Sequence, residues 1–376
     1  MRVLYFSRDY TPHDHRFLSA VVQAGHPVYA LRLEKSPLRR EERPLPSGVE
    51  PIAWRGGQGP LRWSEWPALR ADLRRVLAQV QPDLVHAGPL PSAAFLAAWS
   101  GFRPLVSMSW GSDLLLEAEH NPLCRWMTRY TLRRTTVLIG DCQAVSQKAQ
   151  AFGFPAERIV LFPWGVDLQH FSPAGGSELR QRLGWQDQVV LLSLRSWEPI
   201  YGVDLLVKAF AQAAGQEPRL RLLLLGDGSQ AERIRRMVQE HGLSERVHWG
   251  GQVNNLDLPE YYRAADVYLS ASRSDGSSVS LMEALACGRP ALVSDIPGNR
   301  EWITPGVQGW LFPDGDANAL AEGLLRVVAG RAQWPQMGQA ARRLAEQRAD
   351  WSKNARLLEQ AYRLALKLGM PEGMAE

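Results

Sequence analysis

Short apolar runs separated by helical patterns recur along the chain, and several are apolar on consecutive residues instead of every second one. Strands buried on both faces of a parallel sheet read this way, because crossover helices cover each face. The runs fall at 2–7, 28–33, 83–87, 105–109, 137–140 and 159–162, and the rhythm restarts at 188–194, 220–225, 246–249, 267–270, 291–294 and 309–312. This alternation predicts an α/β protein of two doubly wound, Rossmann-like domains. A length of 376 residues agrees, since a single hydrophobic core stops growing near ~250–300 residues. Residues 1–170 are expected to form the first domain and 171–351 the second. The linker is expected at Asp167 to Gly176, where Pro173, Gly175 and Gly176 interrupt apolar periodicity.

Two segments do not fit the alternation. Residues 36–66 hold Pro37, Pro44, Pro46, Pro51 and Pro60 with Gly56, Gly57 and Gly59, and read as an irregular insertion. Its tryptophans, Trp54, Trp63 and Trp66, are candidates to stack on a sugar or rest in a headgroup layer. The last helix, expected from about Ser352, carries Leu357, Leu358, Ala361, Tyr362 and Ala365 on one face, a stripe that must pack on something.

Composition narrows the function. Hydrophobic residues make up 45% and charged residues 22%, and no run approaches the ~18 apolar residues of a membrane-spanning helix. The opening Met1-Arg-Val-Leu-Tyr-Phe-Ser is too short an apolar stretch for a secretory signal, so a cytoplasmic protein is expected. Cys124, Cys142 and Cys287 are widely spaced and fit neither a disulfide framework nor a structural zinc site. The net charge of +4 lies in the first domain, where 20 basic residues face 15 acidic ones, against 23 and 24 in the remainder. That surplus is too diffuse for nucleic acid, although runs such as Arg39-Arg40 and Arg133-Arg134 favour an anionic partner or a membrane surface.

Two motifs invite over-reading. Gly226-Asp-Gly-Ser-Gln-Ala231 follows a strand and opens a helix, but no acid ends the next strand to hold ribose hydroxyls, so nicotinamide chemistry is not expected. Asp314-Gly-Asp316 matches a metal-holding DxD pattern, yet it precedes a helix, where Asp316 is more simply an N-cap.

The informative stretch is Tyr268 to Pro290: a strand end, a loop of small residues, then a helix stopped by Gly288 and Pro290. Backbone N–H groups of the first helical turn, at Ser278, Val279 and Ser280, can receive a diphosphate without any lysine. Asp275 precedes that turn and Glu283 follows it, so two carboxylates flank the candidate site. Ser280-Leu-Met-Glu283 is also a capping box and Asp275-Gly276 an ordinary turn, and the segment alone does not decide between these readings.

Over nearly its whole length the sequence resembles the retaining glycosyltransferases of family 4, also called group 1, which have the two-domain GT-B fold. The resemblance rests on Gly25-His-Pro-Val28, Val145-Ser146, Pro163-Trp-Gly-Val-Asp167 with Phe171 and Pro173, Arg195 ahead of Tyr201-Gly-Val-Asp204, Gly226-Asp-Gly228, Gly251-Gln-Val253, and Asp275 separated by seven residues from Glu283. It implies two domains facing a cleft, the last helix (352–376) crossing back to the first domain, and metal-independent transfer of a sugar from a UDP- or GDP-sugar, without a cofactor, to a hydroxyl of a saccharide, lipid or small-molecule acceptor. The implied catalytic residues are Arg195, Asp275 and Glu283. The donor set adds Tyr201, Gly251, Val253, Gly276, Ser277, Ser278, Val279 and Ser280. Arg195 would neutralise the diphosphate, Val253 contact the base, Glu283 hold the ribose and Asp275 the sugar hydroxyls.

The chain departs from the family pattern where Asp275 replaces a glutamate, Tyr201 a lysine, Tyr10-Thr-Pro-His-Asp-His-Arg16 a Gly-Gly turn, and Trp110 a histidine. The last two departures face the acceptor, making His13, Asp14, Trp110 and Asp113 the acceptor-side candidates. Expected partners are a nucleotide sugar and a saccharide or lipid-linked acceptor, with peripheral membrane contact through the basic first domain and no nucleic acid. A binding protein of reduced turnover and a sugar-nucleotide epimerase of the same architecture are the alternatives.

Overall fold

A computed structural model describes residues 1–35, 41 and 43–369. They fall into two compact units, Met1–Pro163 with the chain from Ser352 onward, and Trp164–Trp351. In the first unit, seven strands are ordered β3-β2-β1-β4-β5-β6-β7. They are β1 (Val3–Ser7), β2 (Val28–Arg32), β3 (Val49–Pro51), β4 (Leu84–Gly88), β5 (Leu105–Met108), β6 (Val137–Gly140) and β7 (Ile159–Leu161). Every pairing is parallel, with Val3 opposite both Val28 and Leu84. All residues of β1, β4, β5 and β6 are buried, which is why these runs are apolar on consecutive positions.

The second unit repeats the plan with six strands, β8 (Val189–Ser193), β9 (Leu220–Leu225), β10 (Val247–Gly251), β11 (Val267–Ser270), β12 (Ala291–Ser294) and β13 (Gly309–Phe312). Their order is β10-β9-β8-β11-β12-β13, again all parallel. The order reverses between β1 and β4 in one sheet and between β8 and β11 in the other. Ligands of doubly wound sheets bind outside the carboxyl ends of strands at such switch points.

Three expectations need correction. Asp167 to Gly176 is part of the second unit, where Phe171 is buried edge-on to Tyr262 with ring centroids 5.9 Å apart. The insertion at 36–66, of which 36–40 and 42 (with Arg39 and Arg40) lie outside the described residues, contributes an edge strand, β3. Its tryptophans do not act together: Trp54 packs edge-on to Phe6 at 5.3 Å and Trp66 is 5% exposed, so both belong to the core. Only Trp63, 63% exposed and stacked 5.1 Å over Trp66, faces solvent.

The last helix, Trp351–Gly369, packs on the first unit through Leu358, Ala361, Tyr362 and Ala365; residues 370–376 of the expected segment lie outside the described residues. The Tyr362 hydroxyl meets Nδ1 of His86 on β4 at 2.7 Å, and Glu359 meets His26 Nε2 at 2.8 Å. Burial pushes His86 down to about 3, so it is held neutral.

Candidate active site

The loop after β8 delivers Arg195, and the loop after β11 delivers Asp275 and the start of the helix Val279–Ala286. Glycines fix the first loop: a Cβ on Gly226 would stand 2.8 Å from the Arg195 carbonyl oxygen, and one on Gly228 2.7 Å from Trp197 backbone. The Gly226-Asp-Gly228 motif thus braces the arginine-bearing loop, aided by a hydrogen bond from Trp197 N to Asp227 O at 3.0 Å. The second loop lies against Gly298, whose Cβ would come within 2.2 Å of the Gly276 carbonyl. Trp302 Nε1 donates to Ser277 Oγ at 3.1 Å and fixes the same turn.

At the switch point, Arg195 draws these pieces together. Its Nη2 lies 2.8 Å from Asp275 Oδ2, and its Nη1 donates to Ser278 Oγ at 2.9 Å and Ser280 Oγ at 3.2 Å. The Asp275 contact has ion-pair distance without hydrogen-bond alignment, so Asp275 Oδ2 and Arg195 Nε remain buried with no hydrogen-bond partner. Tyr201 covers the guanidinium, its ring centroid 4.1 Å from Cζ. Burial, the largest single influence, opposes the arginine's charge, but the Asp275 carboxylate together with Tyr201, Tyr268 and Tyr262 outweighs it and holds the guanidinium well above its ordinary value.

The helix Val279–Ala286 has Ser278 as its N-cap, with no side-chain cap hydrogen bond. Glu283 is not the far end of a capping box: its Oε2 accepts from the Tyr262 hydroxyl at 2.7 Å, and Tyr262 also donates to the Ser280 carbonyl at 3.0 Å. Ser280 Oγ meets the Tyr268 hydroxyl at 2.7 Å. Tyr262, Tyr268 and Trp302 are therefore site-shaping residues that sequence reasoning passed over, since each reads as ordinary apolar core. Val253 is half-buried against the core of the second unit. Gly251 has a φ of 63°, and its carbonyl accepts from Gly226 N at 2.7 Å. Asp316 caps the helix Ala317–Ala329, accepting from Asn318 N and Ala319 N at 2.9 Å.

The four acceptor-side candidates all follow β1 or β5 at their carboxyl ends, but they divide by role. Asp14 is 1% exposed and completes a capping box with Thr11, while Tyr5 donates to its Oδ1 at 2.8 Å. Asp113 is 2% exposed and accepts from Leu90 N, Ser109 Oγ and Trp110 N at 2.7–2.8 Å. Burial pushes each up to about 6 against these hydrogen bonds. Both carboxylates brace loops. His13 and Trp110 are half-buried and in edge contact at 5.3 Å, and Trp110 Nε1 is buried with no hydrogen-bond partner.

The profile of the glycosyl transferases group 1 matches residues 177–357, and that of Glycosyltransferase Family 4 matches 13–170. The GDP-mannose-dependent alpha-(1-6)-phosphatidylinositol monomannoside mannosyltransferase of Mycolicibacterium smegmatis is 26% identical over 78% of this chain and 80% of its own. The phosphatidyl-myo-inositol mannosyltransferase of Mycobacterium leprae is 29% identical over 83% and 81%. Among solved structures, HepE of Anabaena in complex with UDP superposes with a TM-score of 0.78 at 20% identity, over 96% of this chain and 100% of that one. The sucrose-phosphate synthase of Thermosynechococcus elongatus gives 0.80 at 21%, over 96% and 98%. Two profiles that between them span both units, together with the GT-B architecture, place this chain among the group 1, family 4-type glycosyltransferases.

Proposed function

We propose that the protein is a retaining, metal-independent glycosyltransferase that moves a sugar from a UDP- or GDP-sugar to a hydroxyl of a saccharide or lipid-linked acceptor. The observation that carries this reading is the convergence of Arg195, Ser278 and Ser280 on a helix start without a side-chain cap, flanked by Asp275 and Glu283. Unpaired N–H groups, the helix dipole and a permanently charged guanidinium suit a diphosphate. Glu283 would take the ribose hydroxyls, and Asp275 Oδ2, ion-paired with Arg195 but accepting no hydrogen bond, a hydroxyl of the sugar.

As the glycosidic bond breaks, negative charge grows on the diphosphate, and Arg195 with the helix start stabilises it. That role leaves no task for a cation. The departing phosphate takes the acceptor's proton while the acceptor attacks the same face of the sugar, which retains configuration. The Trp110 indole N–H and His13 would position the acceptor. Relatives named for GDP-mannose and phosphatidylinositol mannosides favour a lipid-linked acceptor. Proton spectra of the product formed with chelator present test the reading: the donor's anomeric configuration is expected, and inversion, a need for metal, or a glycosyl adduct trapped on Asp275 would overturn it.

Peripheral membrane contact belongs to the same proposal. The helix Pro122–Arg134 carries Arg125, Arg129, Arg133 and Arg134 and no acid, with Leu123 51% and Trp126 54% exposed. Among the described residues no helix is long and apolar enough to cross a membrane. Co-sedimentation with vesicles containing phosphatidylglycerol is expected, and is expected to be lost in Leu123→Ser with Trp126→Ser. Equal sedimentation of the double variant would exclude this face.

A further inference from the structure

A second basic site lies in the Trp164–Trp351 unit, at the opposite ends of its strands. Asp266 and Pro290, which line an open cavity of about 610 Å³, immediately precede β11 and β12, whereas the donor site follows the carboxyl ends of β8 and β11. The volume suits a small metabolite. Arg289, Arg331, Arg342 and Arg343 line it, with Trp334 as an apolar wall.

The charge around this cavity is unbalanced. The one carboxylate lining it, Asp266, is already committed, to the Arg180 guanidinium at 2.5 Å and to Val190 N at 2.9 Å. Arg342 is likewise occupied, donating to the carbonyls of Ala286 and Phe171 and to Glu346 at 2.7–2.9 Å. Arg289, Arg331 and Arg343 make no ion pair among the described residues. Arg289 Nε is buried with no hydrogen-bond partner, and burial lowers that guanidinium's affinity for its proton. A cation so placed is costly unless an anion joins it. The helix Trp334–Arg348 also begins here, without a side-chain cap; Trp334 N donates to Arg331 O and Pro335 has no N–H, so what the helix start offers this space is the positive end of its dipole.

We propose that this cavity is a binding site for a small phosphate-bearing anion, separate from the nucleotide-sugar site. Arg289 and Arg343 would hold the phosphoryl oxygens, with Arg331 and the helix start completing the charge, and the rest of a phosphate monoester would lie along Trp334. This inference does not depend on the transferase reading.

Calorimetric titration of inorganic phosphate and of sn-glycerol 3-phosphate into the full chain tests it. Constant ionic strength and an Arg195→Ala background remove phosphate contacts at the donor site from the reading. One saturable event is expected, weakened at least about tenfold by Arg331→Gln with Arg343→Gln, two exposed changes that leave the fold intact. Arg289→Gln is expected to weaken it further. Tighter binding of the ester identifies a monoester ligand, and equal binding identifies free phosphate. No saturable event with either probe, or an event that the double variant leaves unchanged, would overturn the proposal.

Discussion

In the proposed donor site Arg195 would neutralise the diphosphate, and it also orders the site, because the same guanidinium holds Asp275, Ser278 and Ser280 and stacks under Tyr201. Tyr201 stands where the family pattern has a lysine, so in the proposed reaction more of the electrostatic stabilisation would fall on one residue. Arg195→Ala is expected to lower kcat/KM by about 10²–10³, the scale seen when one preorganised donor to a developing charge is removed. Steady-state kinetics with the cognate nucleotide sugar check it, and a loss confined to KM would assign the arginine to ground-state binding instead. Asp113 makes a different prediction. Its carboxyl titrates at about 6 in the fold because of burial, against an ordinary value of 3.8. Between those values the folded chain holds a proton that the unfolded chain has released, so this residue makes stability rise as pH falls through 6 and level off below 3.8. The gain is up to roughly 3 kcal/mol. His86, pushed down to about 3, acts in the opposite sense over an overlapping range. The readout is therefore the difference between wild type and Asp113→Asn in urea unfolding at pH 4 and pH 7: the variant should lack the acid-side gain.

At the scale of elements, glycines and one helix deserve the closest test. Gly202 opens the helix Val203–Gln216 at a φ of 59°, and a Cβ there would lie 2.4 Å from the Ala271 carbonyl oxygen. That position joins the loop bearing Tyr201 to the loop after β11. Gly202→Ala is expected to cost about 1–3 kcal/mol from strain and overpacking and to weaken nucleotide binding through displacement of Tyr201. Thermal unfolding with and without nucleotide checks both effects. For the last helix, Tyr362→Phe leaves His86 Nδ1 unpaired in the core and should cost about 1–3 kcal/mol, and Tyr362→Ala about 3–5 kcal/mol. Elements with strong local signatures were legible in the sequence, notably the apolar runs of twelve of the thirteen strands among the described residues and the cap at Asp316. The strand Val49–Pro51 was not, because three half-exposed or exposed residues ending in proline carry no buried-strand pattern and pair only at a sheet edge. Trp54 misled for a related reason: prolines and glycines around it suggest exposure, while its packing partner Phe6 lies far away in sequence.

At the scale of the whole molecule, the repeated parallel-sheet plan follows from periodicity alone, and the order of motifs carries the family. Side-chain partnerships across long sequence separations do not show in such a pattern. Ser280 and Glu283 have the spacing of a capping box, yet Tyr262 and Tyr268 claim them, and Asp14 and Asp113 have the chemistry of ligands yet serve as loop braces. Which unit binds the donor can be tested directly: hydrogen exchange should slow on nucleotide addition at the Arg195–Tyr201 loop and the Asp275–Glu283 segment, while β1 and β5 stay unchanged. The most direct test of the central claim is calorimetric titration of UDP, GDP, ADP and dTDP into wild type and Glu283→Ala with chelator present. One diphosphate should bind wild type without metal and bind the variant roughly 10–100-fold more weakly, as expected for losing charge-assisted hydrogen bonds to the ribose. Equal binding to both proteins, or none to wild type, would contradict the placement of the donor at Arg195 and Glu283.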